Sequence, residues 1–161
     1  MGRSFKDHFS DQAPDYVRFR PAYPDALFAW LARNTAVPGT AWDCGTGSGQ
    51  AALGLAAHFE RVVATDPSAS QLAHAPAHPN IEYRCLPAEA PELEDRSIDL
   101  ITVAQAIHWF DLDRFYAVAR RVLKPGGLIA AWTYTLLDVE AGIDVLVSDY
   151  YRNVVGPFWP P

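Results

Sequence analysis

The chain has 161 residues, with 13 basic and 19 acidic side chains and a net charge of -6. Half of the residues are hydrophobic and 20% are charged, which excludes a disordered or collagen-like chain and suits one globular domain. The acidic balance argues against a general nucleic-acid binder, which needs a basic patch to displace counterions.

The two cysteines, Cys44 and Cys85, cannot make a disulfide framework and lack metal-ligand spacing. Both stand in apolar stretches and are expected as small buried hydrophobes in a reducing compartment. No apolar run approaches a membrane span, and Met1 to Asp11 is polar and charged, unlike a signal peptide. Lys6 stands where a myristoylation signal needs Ser or Thr. A cytoplasmic protein without membrane or metal partners is therefore expected.

In chain order, Met1 to Tyr23 is aromatic, basic and without clear periodicity. Pro24-Asp25 leads into a helix over Ala26 to Asn34, with Leu27, Trp30 and Leu31 on one face. After the turn signal Val37-Pro38-Gly39, strands and helices alternate. Strands are predicted over Thr40–Cys44, Arg61–Thr65, Ile81–Cys85, Ile98–Ala104 and Leu128–Trp132. Helices are predicted over Gln50–Phe59, from Ala69 to His74, and from an Asp111 cap to Leu123. Lys124-Pro125-Gly126-Gly127 is expected to stop the last of these. Such alternation implies parallel strands with crossover helices, a doubly wound α/β sheet. The tail from Asp138 to Val155 is helical by period, but its apolar residues have nothing after them to pack under.

The central motif is Asp43-Cys44-Gly45-Thr46-Gly47-Ser48-Gly49-Gln50, between a strand and a helix. Alternate glycines let the backbone turn tightly and approach a ligand, and the free N–H groups at the helix start can face its polar groups. Asp66 ends the next strand, where a carboxylate can accept from both hydroxyls of a ribose, worth roughly 1.5–3 kcal/mol. The competing explanation is a plain strand-to-helix turn with Asp66 capping its own helix. Gln50 stands where the dinucleotide fingerprint has its last Gly, which disfavours a nicotinamide-dependent oxidoreductase.

Asp43-x-Gly45-x-Gly47-x-Gly49 resembles the first motif of class I S-adenosylmethionine-dependent methyltransferases. Val63 to Ser68 resembles the second motif, Pro87-Ala88-Glu89 the adenine-flanking segment, Ser97 to Ile101 the fourth-strand entry, and Leu123 to Gly127 the turn before the fifth strand. Arg18 to Pro24 and Ala104 to Asp111 resemble the branch of trans-aconitate methyltransferase-like proteins. The resemblance implies a Rossmann-like, mostly parallel sheet. It also implies a methyl transfer from S-adenosylmethionine to a small molecule, a carboxylate among the options, leaving S-adenosylhomocysteine.

By that resemblance Asp43, Gly45, Thr46, Gly47 and Gly49 form the cofactor loop, with Asp43 able to act by ordering it. Asp66 and Pro67 meet the ribose side, Ala88 and Glu89 border the adenine, and Gln105 lies beside the sulfonium. Pro87 departs from the family's Asp and removes a backbone donor.

His108 is the one candidate for general-base chemistry, since an unperturbed imidazole titrates near 6.5. Against it stands simple packing of a helix-start His beside Trp109. Tyr16, Arg18, Arg20 and Tyr23 read either as an N-terminal lid, with an Arg for a carboxylate, or as a surface strap. Nucleic-acid contact is a third, weaker reading, and Ala104-Gln105-Ala106-Ile107 lacks the Asn/Asp-Pro-Pro-aromatic run of amino-group nucleic-acid methyltransferases.

The expected divisions are a lid and helix over 1–34, a cofactor-binding core over 35–137 and a tail over 138–161. The family continues past the fifth strand with a helix and an antiparallel hairpin. A chain ending at Pro161 is therefore expected to be truncated, with an open fifth-strand edge able to self-associate and with cofactor binding without turnover as an alternative outcome.

Overall fold

The computed structural model describes residues 23–134 and 139–158. Its centre is a five-stranded parallel sheet in the order β3-β2-β1-β4-β5. The strands are β1 (Thr40–Cys44), β2 (Arg61–Thr65), β3 (Ile81–Arg84), β4 (Ile98–Ala104) and β5 (Leu123–Trp132). The helices are α1 (Asp25–Asn34), α2 (Gln50–Ala56), α3 (Ala69–Leu72), α4 (Leu112–Val122) and α5 (Ala141–Asp149).

The central strands are buried on both faces, as parallel strands covered by crossover helices must be. Ala41, Val62, Ala64 and Leu100 pack with Ala52, Leu55, Phe28 and Leu31 of α1 and α2. Trp42, Val63, Ile101 and Val103 point the other way, onto Phe115, Ala119 and Val122 of α4. Gly54 lets α2 meet α1 closely, since a Cβ there would fall 2.0 Å from the Phe28 ring. Phe115 is fully buried, and burying such a ring contributes about 1.5–3 kcal/mol. Asp111 caps α4 by accepting from the Arg114 N–H at 3.3 Å, and Ser68 caps α3 likewise from Gln71.

Several boundaries move from expectation. Helix α2 stops at Ala56 and α3 at Leu72, shorter than the runs to Phe59 and His74. Strand β3 stops at Arg84, so Cys85 lies past the sheet and is exposed, not buried, while Cys44 is buried as expected. Lys124-Pro125-Gly126-Gly127 ends α4 but lies inside β5. Ile98 pairs with Leu123 and Leu100 with Leu128, so the tetrapeptide bulges out between two paired segments, with Gly126 at φ 81°.

Lys124 turns that bulge to use: its Nζ donates to both oxygens of Asp99, at 2.9 and 2.8 Å, while the Thr40 N–H donates to Oδ2 at 2.8 Å. In the tail, α5 gives way to a π-helical run over Tyr150–Val155. Val139, Ile143, Leu146, Tyr150 and Val154 are exposed, and β5 is an edge strand among the described residues.

Candidate cofactor site

The strand order reverses between β1 and β4, and a doubly wound sheet opens a crevice beyond the strand ends at such a point. The loop after β1 enters it with Gly45, Gly47 and Gly49 at φ 71°, 57° and 82°. Two of these glycines are also fixed by close approach. A Cβ on Gly45 would stand 2.6 Å from the Ala106 Cβ, and one on Gly49 2.6 Å from the Tyr83 Oη. The loop is tied to β2, because the N–H groups of Gly45 and Thr46 both donate to the Thr65 carbonyl, at 2.9 and 3.0 Å.

Asp43 lies beneath the loop with no exposed surface. Its Oδ2 accepts from the Thr46 hydroxyl at 2.6 Å and its Oδ1 from the Thr102 hydroxyl at 2.8 Å. It therefore joins the loop to β4 from below rather than presenting an oxygen to the crevice. Burial pushes its carboxyl up to about 6, against the two hydroxyl bonds that pull it down. Burial likewise raises the Cys44 thiol well above its ordinary value, which leaves it an inert packing group.

Asp66 sits at the rim, half-buried. Its Oδ2 accepts from the Gly47 N–H at 2.9 Å and its Oδ1 from the Ser68 N–H at 2.8 Å. The acid thus couples the glycine loop to the turn that leads into α3, whose cap is Ser68. Pro67 beside it is exposed. Ala88 is buried, and Glu89 reaches across so that its Oε1 accepts from the Asp111 N–H at 2.8 Å. The segment after β3 is thereby fastened to the segment after β4.

Gln105 follows β4 in a left-handed conformation, φ 57°, which a non-glycine residue adopts at a cost. Its N–H donates to the Trp132 carbonyl at 2.9 Å, and its Oε1 accepts from the Thr133 hydroxyl at 2.9 Å. His108 is exposed in a 3-10 turn over Ile107–Trp109, its ring centroid 4.9 Å from that of Trp109. That contact is simple packing of the imidazole beside Trp109. Tyr23 stands edge-on to Trp132 at 5.5 Å, at the carboxyl end of β5. Tyr16, Arg18 and Arg20 lie outside the described residues.

Four buried side-chain polar atoms lack a hydrogen-bond partner among the described residues: Ser48 Oγ, Gln71 Oε1, Gln105 Nε2 and Trp132 Nε1. They follow or end β1, β2, β4 and β5, so all four belong to the carboxyl edge of the sheet. A buried polar group without a partner costs about 1–3 kcal/mol, so their gathering at one edge marks a place built for polar partners. The sequence motifs contain Ser48 and Gln105. Gln71 and Trp132 were missed, although an indole N–H at the end of a strand is a usable signal.

Residues 42–131 match the family model described as a methyltransferase domain, more than half of the chain. This chain belongs to the methyltransferase-domain family. It is 37% identical to a candidate methyltransferase of Dictyostelium discoideum over 98% of its own length and 61% of the relative's. Among solved structures, a candidate type II methyltransferase from Anaeromyxobacter dehalogenans aligns with TM-score 0.81 and 50% identity, over 89% of this chain and 61% of that one.

The geranyl diphosphate C-methyltransferase of Streptomyces coelicolor, solved with S-adenosyl-L-homocysteine, shares the fold at TM-score 0.59 and 19% identity, covering 66% of this chain and 44% of its own. The chain thus spans about three-fifths of the length of the first two of these family members. Among the described residues, no helix is long and apolar enough to cross a membrane.

Proposed function

We propose that the chain forms the S-adenosylmethionine-binding part of a methyltransferase acting on a small molecule. The observation that carries the reading is the 2.9 Å bond from the Gly47 N–H to Asp66 Oδ2. It brings the glycine loop and the acid after β2 to one spot at the strand carboxyl ends, where a nucleoside-bearing ligand needs both. The unpartnered buried atoms of Ser48, next to Gly47, and of Gln71, in α3, suit a ligand rich in hydroxyl, amine and carboxylate groups.

In this reading Gly45, Thr46, Gly47 and Gly49 face the amino-acid part of the cofactor. Asp66 takes the ribose hydroxyls with Pro67 beside it, and Ala88 and Glu89 border the adenine. Asp43 holds the loop in shape from below through Thr46 and Thr102. The bound cofactor supplies a methyl group already activated on a sulfonium. The chain's share of the work is to align partners and exclude water, which can account for most of such a catalysis. Tyr23, edge-on to Trp132 at 5.5 Å, supports reading the segment ahead of α1 as a lid.

The position of β5 as an edge strand among the described residues and the exposed apolar residues of the tail favour a second reading, in which this length of chain binds cofactor without turning over. They also suit self-association through that edge. Calorimetric titration with S-adenosylhomocysteine, with NAD as control, tests the proposal. Saturable binding of S-adenosylhomocysteine alone is expected. A folded protein that binds neither, or prefers NAD, overturns it. Methyl transfer from labelled S-adenosylmethionine across small carboxylic acids, alcohols and amines then separates turnover from binding alone.

A further inference from the structure

The carboxyl ends of β4 and β5 hold two of the four unpartnered polar atoms, and both are donors. Gln105 Oε1 is already engaged by the Thr133 hydroxyl, which leaves Nε2 as the buried atom without a partner. Trp132 Nε1 can only donate, and it too is buried without a partner. The residues are neighbours across the strands, since the Gln105 N–H donates to the Trp132 carbonyl. The indole of Trp42 in the same sheet shows the usual solution, with its Nε1 donating to the Thr65 hydroxyl at 2.9 Å.

Gln105 in addition holds a left-handed backbone at the point where strand order reverses, and strain of this kind persists where surrounding contacts over-determine it. The adjacent Ala106 is the residue against which Gly45 closes, so this end of β4 abuts the glycine loop.

We infer that Gln105 Nε2 and Trp132 Nε1 form an acceptor-side subsite that binds molecules through oxygen atoms: a carbonyl, a hydroxyl or a carboxylate. The inference rests on the proposed function, with β1 and β2 serving the cofactor and β4 and β5 serving the second substrate, and it moves Gln105 from the sulfonium side, where the resemblance puts it, to the acceptor. Two such donors suit an oxygen with spare lone pairs. They offer nothing to the N–H groups of an amine, which must find an acceptor when they leave water. Substrate discrimination by such groups is strong, because the wrong partner leaves a buried polar atom unpaired.

The test uses the 161-residue protein saturated with S-adenosylhomocysteine and a library of small carboxylic acids, carbonyl compounds, alcohols, phenols and primary amines, screened by ligand-observed NMR. The variants are Trp132→Phe, which keeps an aromatic ring against Tyr23 while losing the N–H and part of the indole's bulk, and Gln105→Leu. Oxygen compounds are expected to dominate the hits, and each variant is expected to weaken them at least tenfold. Removal of an unpaired buried donor stabilises the ligand-free protein, and it offsets the lost Thr133 bond in Gln105→Leu and the lost indole volume in Trp132→Phe, so each melting temperature should shift by only a few degrees.

Affinity for S-adenosylhomocysteine should stay within about threefold in both variants. A tenfold loss of that affinity would move the residues to the cofactor and overturn the inference. So would hits that are mainly amines, hits unchanged in both variants, or an absence of hits on protein that binds S-adenosylhomocysteine. Failure of the wild type to bind S-adenosylhomocysteine at all is a separate result, and it strikes the proposed function first.

Discussion

Asp43 and Asp99 are both buried aspartates on neighbouring strands, and they are satisfied in opposite ways. Asp99, near the amino end of β4, receives a cation and a backbone donor from Lys124 and Thr40. Asp43, near the carboxyl end of β1, receives the hydroxyls of Thr46 and Thr102 and the backbone of Ala52, with no cation beside it among the described residues. The same contrast runs through the two ends of the sheet. Among the described residues, all the buried side-chain polar atoms without partners belong to the carboxyl edge. The amino edge spends its polar groups on holding the strands together, while the carboxyl edge keeps polar capacity in reserve. Natural proteins break local rules in this manner where they bind things.

The largest effect expected from this contrast is a pH dependence owed to Asp43. Its carboxyl ordinarily titrates at 3.8 and stands at about 6 in the folded protein. A raised acid makes the folded state bind the proton more tightly, so this group's contribution is fully present below 3.8 and lost as pH rises through 6. The loss is about 3 kcal/mol between those limits. Asp43→Asn keeps the shape and cannot ionise, and the threonine hydroxyls can turn to suit it. Urea unfolding from pH 4 to 7 should show the wild type falling relative to Asp43→Asn, with the gap growing by about that amount. Parallel curves would mean that Asp43 stays ionised and that the hydroxyl bonds outweigh its burial.

Asp99→Ala is the counterpart at the other end. It leaves the Lys124 ammonium and the Thr40 N–H without their acceptor. Breaking a fully buried pair costs about 3–5 kcal/mol, and Lys124 reaches solvent, so a loss of about 2–3 kcal/mol is expected. Affinity for S-adenosylhomocysteine should remain within about twofold. A large loss of affinity at unchanged stability would reverse the functional division between the two edges.

How much of this was legible in the sequence follows the same division. Strands β1, β2 and β4 run over the expected residues, because each is a short apolar run with a turn signal at one end. The start of β5 was misread at Leu128, since Pro125-Gly126-Gly127 looks like a break. Only the register shift across Ile98 and Leu100 reveals that the strand pairs on both sides of it.

The glycine loop and Asp66 were readable from spacing, because local backbone chemistry dictates them. Asp43 was readable as a member of the motif, but its burial under two threonines depends on Thr102, far away in the chain. The unpartnered donors at Gln105 and Trp132 were not readable. They exist only because β4 and β5 end in register, with Ala104 opposite Trp132.

Asp66→Asn sharpens the comparison from the binding side. The amide keeps one acceptor for a backbone N–H but loses the charge that strengthens bonds to ribose hydroxyls. Affinity for S-adenosylhomocysteine should fall about ten- to thirtyfold, roughly 1.4–2 kcal/mol, while unfolding shifts by less than about 1 kcal/mol. If stability falls and affinity does not, Asp66 is only a tether for Gly47 and for the turn at Ser68.

The smallest effect is expected at His108, which lies at the carboxyl edge yet shows none of its unusual features. The side chain is exposed, and its ring is placed by Trp109. Exposed substitutions of this sort fall within about 0.5 kcal/mol. His108→Ala should therefore leave both unfolding and S-adenosylhomocysteine affinity nearly unchanged. Its effect on methyl transfer depends on the acceptor. A carboxylate brings its own lone pair and needs no base, so the variant should match the wild type at every pH. A hydroxyl must lose a proton as its oxygen is methylated, and a base within reach contributes typically 10²–10⁴-fold. A loss of that size, with the rate no longer falling at low pH, would give His108 a catalytic role and would choose hydroxyl over carboxylate among the oxygen compounds that Gln105 and Trp132 can hold.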